Sequence, residues 1–185
     1  MASDLLSTRI TFEGGSVEYV SQGEVVFFDF DTWGKTQATT HNMRRVDALV
    51  IPAAEPPPFI WLVEVKDFRI LNHPPAKRNT TDLPQTLTNK LNDTLTILSD
   101  AATRPMGLPM QEEMFFLFHY EMPSRPLRSS YFPSGYPLDQ FDFFRSHFRH
   151  PRVTRSFMMN AEQINASPVT PWEVRLYATR GAVGE

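Results

Sequence analysis

The chain has 185 residues, a formal net charge of −3 and no cysteine. A chain of this length buries roughly 70% of the surface its unfolded form exposes, so a single domain with its own core is expected. The missing cysteines exclude disulfides, thiol nucleophiles and cysteine-based zinc sites, and the acidic balance leaves any phosphate partner to be held by a local basic patch or a metal.

No apolar leader follows Met1, and the longest apolar runs, FIWLV and MFFLF, are far too short to span a bilayer. A cytoplasmic protein with no membrane partner is therefore expected. Residues 8–31 read as three short strands, with Gly14-Gly15 in a hairpin turn and Gly23 ahead of the third. A polar stretch runs to Arg45, and RVDALVI (45–51) follows as a strand. PAAEPPP must be a loop, because its four prolines donate no ladder hydrogen bonds. FIWLVEVKDFR (59–69) is then a long central strand.

After a loop rich in Pro and Asn (72–82), Leu87, Leu91, Leu95 and Leu98 recur at helical spacing. Pro84 falls in the first turn after Asp82, and Gln85, Asn89 and Asn92 take the opposite face. MFFLFHYEM (114–122) is another buried strand, PLDQFDFFRSHF (137–148) a second helix, and RSFMMNAEQ and WEVRLYAT closing strands. No repeat or low-complexity linker divides the chain. The order predicts one α+β or mixed α/β domain over residues 1–185, with a central mixed β-sheet flanked by helices and an N-terminal β-hairpin.

The central strand carries charge in an apolar run. Period-2 alternation puts Glu64 and Lys66 on one face and Trp61, Val63 and Val65 on the other. In the preceding strand Asp47 lies between Val46 and Ala48, which share the opposite face with Val50. If the two strands pair, Asp47 and Glu64 stand roughly 5 Å apart, within reach of one divalent metal. A hard cation such as Mg²⁺ on two carboxylates polarises a phosphoryl group and lowers the pKa of a bound water. Lys66 then positions that water or stabilises the developing charge, which together is the layout phosphodiester hydrolysis needs. The plainer expectation is a solvated charge pair contributing under about 1 kcal/mol, with Asp47 unrelated to it.

VD, sixteen intervening residues, EVK and a following helix resemble the PD-(D/E)XK nuclease superfamily, the fold of many restriction endonucleases. The resemblance covers a core of about residues 24–121. It matches EVVFFDFD, Asp47, Glu64 with Lys66, the helix from Pro84 and MFFLFHYEM to the family's order of strand, strand with Asp, strand with Glu-x-Lys, helix and strand. It implies a restriction-endonuclease-like core and a metal-dependent nuclease acting on nucleic acid, DNA foremost. Asp47 and Glu64 are then the ligands of Mg²⁺ or Mn²⁺, and Lys66 is the third catalytic residue. Val46 stands where the family name has proline. The family's usual first helix, with a further glutamate, is replaced here by the Gly-Gly hairpin, so Glu13, Glu18 or Glu24 would have to stand in. Gln85 is the polar residue the helix after the motif would contribute. Cutting both strands of a duplex takes two active sites, which makes a homodimer an expectation.

Two other readings stay open. One is a nuclease-like fold that has lost catalysis and serves as a binding or assembly subunit. The other starts from VVFFDFDTWG, which resembles the first motif of haloacid dehalogenase-type phosphatases and implies Asp29 as nucleophile and Asp31 as acid/base. Thr32-Trp33 stand where that motif has Gly-Thr, and the two aspartates fit the polar face of a half-buried strand equally well. Arg145, Arg149 and Arg152 recur at i, i+4 and i+7, although Pro151 is expected to end the helix before Arg152, and with Arg155 they form the candidate phosphate-backbone patch; Phe141, Phe144 and Phe148 form the core stripe. His119, inside an apolar strand, reads as a hydrogen-bonded core histidine. His41 and His73 sit in loops flanking the site, and His147 and His150 lack the further ligands that zinc requires.

Overall fold

In the computed structural model, which describes residues 6–55, 57–67, 69, 83–108, 113–121 and 148–178, the apolar runs become strands in chain order. They are β1 (Leu6–Ser7), β2 (Arg9–Phe12), β3 (Val17–Ser21), β4 (Val25–Asp29), β5 (Ala48–Pro52), β6 (Ile60–Asp67), β7 (Met114–Glu121), β8 (Arg155–Met159) and β9 (Trp172–Leu176). Among the described residues the helices are α1 (Phe30–Thr36), α2 (Leu83–Ser99) and α3 (Ala161–Ala166), with a 3₁₀ turn at Glu13–Gly15. None of them is long and apolar enough to cross a membrane.

The strands form two sheets. The larger runs β1-β4-β5-β6-β7-β8, antiparallel as far as β6 and parallel from β6 to β8. The smaller, β2-β3-β9, is antiparallel throughout. The fold is thus α+β with a mixed central sheet, as the order of elements predicts. The switch to parallel pairing falls where a helix lies between two strands, since a parallel neighbour requires a long crossover.

β6 is apolar on both faces because both are covered. On one face Leu49, Leu62, Phe116 and Phe118 join Leu87, Leu91, Leu95 and Leu98 of α2 in a single buried cluster. On the other, Trp61, Val63 and Val65 join Tyr19, Trp172 and Val174 of the smaller sheet. Each of those leucines contributes about 1.5–3 kcal/mol on full burial, which sets the rotation of α2 and therefore what its flank faces.

Local chemistry overrides the expected elements in several places. β4 stops at Asp29 because its Oδ1 accepts the Thr32 N–H at 2.9 Å and caps α1, so Asp31 sits on a helix and not on the polar face of a strand. Val46 packs in the helix-side cluster and does not share a face with Ala48 and Val50, because strand alternation begins only at the Asp47–Ala48 junction. The expected closing strand RSFMMNAEQ ends at Met159. Asn160 and Gln163 form a reciprocal capping box there that starts α3. Of the second predicted helix, residues 137–147 lie outside the described residues, with Arg145, His147, Phe141 and Phe144; so does the loop 72–82 with His73. Phe148 is buried but not helical, and a turn at 151–152 follows, so Arg149 and Arg152 share no helical stripe.

One packing detail has a measurable consequence. Gly34 in α1 lies against the buried side chain of Arg45, whose Nη1 donates to the carbonyls of Thr40 and Met43 and whose Nη2 lies 3.5 Å from Asp31 Oδ1. A Cβ on Gly34 would overlap the Nε and Cδ of Arg45. Gly34→Ala is therefore expected to destabilise by about 1–3 kcal/mol, even though alanine is intrinsically the better helix former by about 1 kcal/mol. A urea midpoint equal to or above wild type would show that Arg45 repacks freely.

Candidate active site

The β5–β6 ladder begins with Ala48 opposite Val63, and Asp47 stands one residue ahead of it. The Asp47 N–H donates to the Val63 carbonyl at 2.9 Å, and the Val65 N–H donates to Asp47 Oδ2 at 2.7 Å. The strand bearing Glu64 thus pins the carboxylate of Asp47. α2 fixes the approach from the other side: Val46 N–H donates to Thr94 Oγ1 at 3.1 Å and Arg44 N–H to Asp93 Oδ2 at 2.9 Å.

Glu64 is fully buried. A carboxylate there costs several kcal/mol unless it is paired and hydrogen-bonded, and two lysines meet that requirement. Lys66 Nζ lies 2.7 Å from Glu64 Oε1. Lys90 Nζ, from α2, donates to both Glu64 oxygens at 2.7 Å and lies 3.7 Å from Asp47 Oδ1. Lys66 also donates to the Val65 carbonyl at 3.1 Å and lies 3.6 Å from Glu13 Oε1. The hairpin turn carries Glu13 to this point because it is tied to the end of β6. Ser16 Oγ donates to Asp67 Oδ2 at 2.6 Å, and Arg69 Nη2 donates to the Ser16 carbonyl at 3.2 Å. Glu13 itself has φ 49°, a left-handed conformation that a residue with a Cβ adopts only when its surroundings impose it.

These charges shape one another. Burial and the neighbouring Glu64 carboxylate push Asp47 up to about 6, against the opposing pull of Lys66, Lys90 and the Val65 N–H. Burial alone would lower Lys66, but Glu64 and Asp47 outweigh it and hold the ammonium well above the ordinary lysine range. Beside the pair lies a polar cavity of about 170 Å³ lined by Glu13, Asp29, Asp31 and Asp47 with Thr11, Phe12 and Thr32.

The donor set suits a hard divalent cation. Mg²⁺ keeps several of its waters and is held by one or two carboxylates, which Asp47 and Glu64 would supply. The ammonium of Lys90 lies 2.7 Å from both Glu64 oxygens and 3.7 Å from Asp47 Oδ1, a cation already beside this donor set. Among the described residues no group of three or more His, Cys, Asp or Glu side chains is placed to hold a metal, so water would complete the coordination.

The other residues singled out in the sequence lie elsewhere. Gln85 is exposed and donates to Asn89 Oδ1 at 2.8 Å; the α2 residue that reaches the cluster is Lys90. Glu18 belongs to the smaller sheet, 3.2 Å from Arg9 Nη1 and accepting from Tyr177 Oη at 2.6 Å. Glu24 is exposed ahead of β4, at the opposite end of that strand from Asp29. Arg155 pairs with Phe115 at the start of β7, three positions from the Phe118 that pairs with Glu64, which is roughly 10 Å along the strand. Arg152 Nη2 donates to the Leu95 carbonyl at 3.0 Å and Arg149 Nη1 to the Phe148 carbonyl at 2.8 Å. His41 is exposed and its Nδ1 lies 2.9 Å from the Ala38 carbonyl. His119 is buried in the core, bridging Tyr19 Oη at 2.8 Å and Glu121 Oε1 at 2.7 Å.

Compared with family models, curated proteins and solved structures, the chain matches none. The case for a function therefore stands on the geometry of Asp47, Glu64, Lys66, Lys90 and Glu13. Lys90 escapes a reading of the sequence by pattern; its one signal is its position three residues after Leu87, on the flank of the leucine stripe.

Proposed function

We propose that the chain is a metal-dependent nuclease of the restriction-endonuclease-like type, hydrolysing phosphodiester bonds of nucleic acid, DNA foremost. The observation that carries this reading is the convergence of Asp47, just ahead of β5, and Glu64 of β6 on Lys90 Nζ, with Lys66 on the Glu64 carboxylate. The succession β4, Asp47 with β5, β6 ending in Glu-x-Lys, α2 and β7 supports it, because it is the order the resemblance implies.

Asp47 and Glu64 would hold the Mg²⁺ or Mn²⁺, which when bound polarises the phosphoryl group and lowers the pKa of a water. Lys66 Nζ lies 2.7 Å from Glu64 Oε1, which places its ammonium as a hydrogen-bond donor to an anionic oxygen beside the metal ligands. Glu13 and the Val65 carbonyl fix where that ammonium sits. The Val65 N–H orients Asp47, so both carboxylates are positioned by the same strand.

A second reading, a nuclease-like subunit without catalysis, is favoured by one observation: Lys90 and Lys66 together already offset the charge of the two carboxylates. The phosphatase reading gains no comparable support, since Asp29 caps α1 and Asp31 lies 2.6 Å from Lys35 and 3.5 Å from Arg45.

Labelled single- and double-stranded DNA and RNA, incubated with Mg²⁺, Mn²⁺ or EDTA, separate these readings. The nuclease reading expects metal-dependent cleavage that Lys66→Ala lowers by on the order of 10²–10³-fold. No cleavage of any substrate with either metal would overturn it and favour the non-catalytic subunit. Cleavage of both strands of a duplex would engage a homodimer, and a monomeric mass by light scattering with duplex bound would remove that part of the proposal.

A further inference from the structure

We infer that Lys90 is an internal competitor for the divalent cation: its ammonium holds Asp47 and Glu64 together in the metal-free protein and is displaced when a metal takes their oxygens. The inference rests on the proposed metal site and assigns a role to a residue outside the Glu-x-Lys pattern.

Geometry separates the two lysines. Lys66 is anchored by groups besides the carboxylate pair, the Val65 carbonyl at 3.1 Å and Glu13 at 3.6 Å. Among the described residues, the contacts of Lys90 Nζ are with Glu64, at 2.7 Å to each oxygen, and Asp47, at 3.7 Å. It therefore fills the space beside the two carboxylates that would hold a metal, and a metal on those oxygens would have to displace it. The Lys90 side chain is 20% exposed and hangs from α2 on four methylenes, so it has a route outward that leaves the helix in place. Lys66 stays where it is.

The exchange also changes the charge of the site in the direction a nucleic acid requires. Counting Asp47, Glu64 and Glu13 against Lys66 and Lys90, the cluster carries one negative charge without metal. A dication that displaces Lys90 without expelling it from the neighbourhood leaves three carboxylates facing one dication and two ammoniums, a surplus of one positive charge. An anionic phosphodiester is drawn to that surplus, whereas the metal-free site offers it none.

The test is a calorimetric titration of Mn²⁺ into the intact chain and into Lys90→Met, Lys90→Gln, Lys66→Met and Asp47→Asn, each checked for folding by circular dichroism. Both Lys90 variants are expected to bind Mn²⁺ about tenfold tighter than wild type or better, a larger gain than Lys66→Met produces, while Asp47→Asn loses binding. Reductive methylation read by mass spectrometry adds an independent measure, since saturating Mn²⁺ is expected to speed modification of Lys90. If wild type binds Mn²⁺ through Asp47 but the Lys90 variants bind it equally or more weakly, Lys90 is a structural brace; the inference falls and the nuclease reading stands. If neither wild type nor any variant binds Mn²⁺, the metal site itself is wrong and both fall. Should one Lys90 variant fail to fold, the other and the methylation rate still decide the matter.

Discussion

Glu64→Gln is expected to lower metal-dependent cleavage by at least about 10³-fold while leaving a folded protein that is less stable by about 2 kcal/mol. Glutamine preserves the volume of the side chain, so the apolar packing of β6 against α2 survives. What it removes is the one charge on which Lys66 and Lys90 both converge at 2.7 Å. Two ammoniums are left side by side, with Asp47 and Glu13 more than 3.5 Å from either. Partial exposure of the lysines, 33% and 20%, keeps the loss below the 3–5 kcal/mol typical of a fully buried broken pair. Single-turnover cleavage and urea unfolding measure the two effects separately. Cleavage near the wild-type rate would remove Glu64 from the chemistry, and unchanged stability would show that the lysines find other partners.

Asp47→Asn is expected to abolish cleavage and yet stabilise the fold at neutral pH. Asp47 retains its proton up to about pH 6 in the folded chain, against a value of 3.8 for the unfolded one, because burial and Glu64 oppose its charge. A carboxyl group whose folded pKa is raised contributes its full stability below the unfolded pKa and loses it as pH rises through the folded pKa. Above pH 6 the ionised form is therefore a burden that asparagine does not carry, of about 1–3 kcal/mol. The expected result is a melting temperature difference that is small at pH 4, opens through pH 6 and reaches several degrees at pH 7.5 in favour of Asp47→Asn. A variant less stable than wild type at pH 7.5 would mean that Lys66 and Lys90 need the Asp47 charge more than Glu64 repels it. A carboxylate that weakens the fold it sits in is most readily explained by a function that needs it.

Much of this architecture is legible in single residues. Alternation through FIWLVEVKD assigns Glu64 and Lys66 to one face, and the leucine spacing from Leu87 to Leu98 assigns a helix to cover it. The Asp47 N–H on the Val63 carbonyl and the Val65 N–H on Asp47 Oδ2 then bring Asp47 beside Glu64, a neighbourhood the sequence makes available but does not impose. Two missed elements carried readable signals: Asp29 with its acceptor for the Thr32 N–H, and the Asn160–Gln163 capping box. Both were masked by neighbouring residues that fit a strand equally well.

The remainder of the site came from tertiary structure. Among Glu13, Glu18 and Glu24, local sequence offers no basis for choice; the Ser16–Asp67 and Arg69–Ser16 bonds bring the turn of Glu13 to Lys66. Lys90 and Gln85 are both polar residues of the same helix, and only the rotation fixed by leucine burial sends one to Glu64 and the other to solvent. Alternation and helical spacing act over a few residues, so the sequence by itself determined the strands, the helix and the Asp47, Glu64 and Lys66 triad as candidates. Which distant charges complete that triad depends on packing between elements far apart in the chain, and only the folded core decides it.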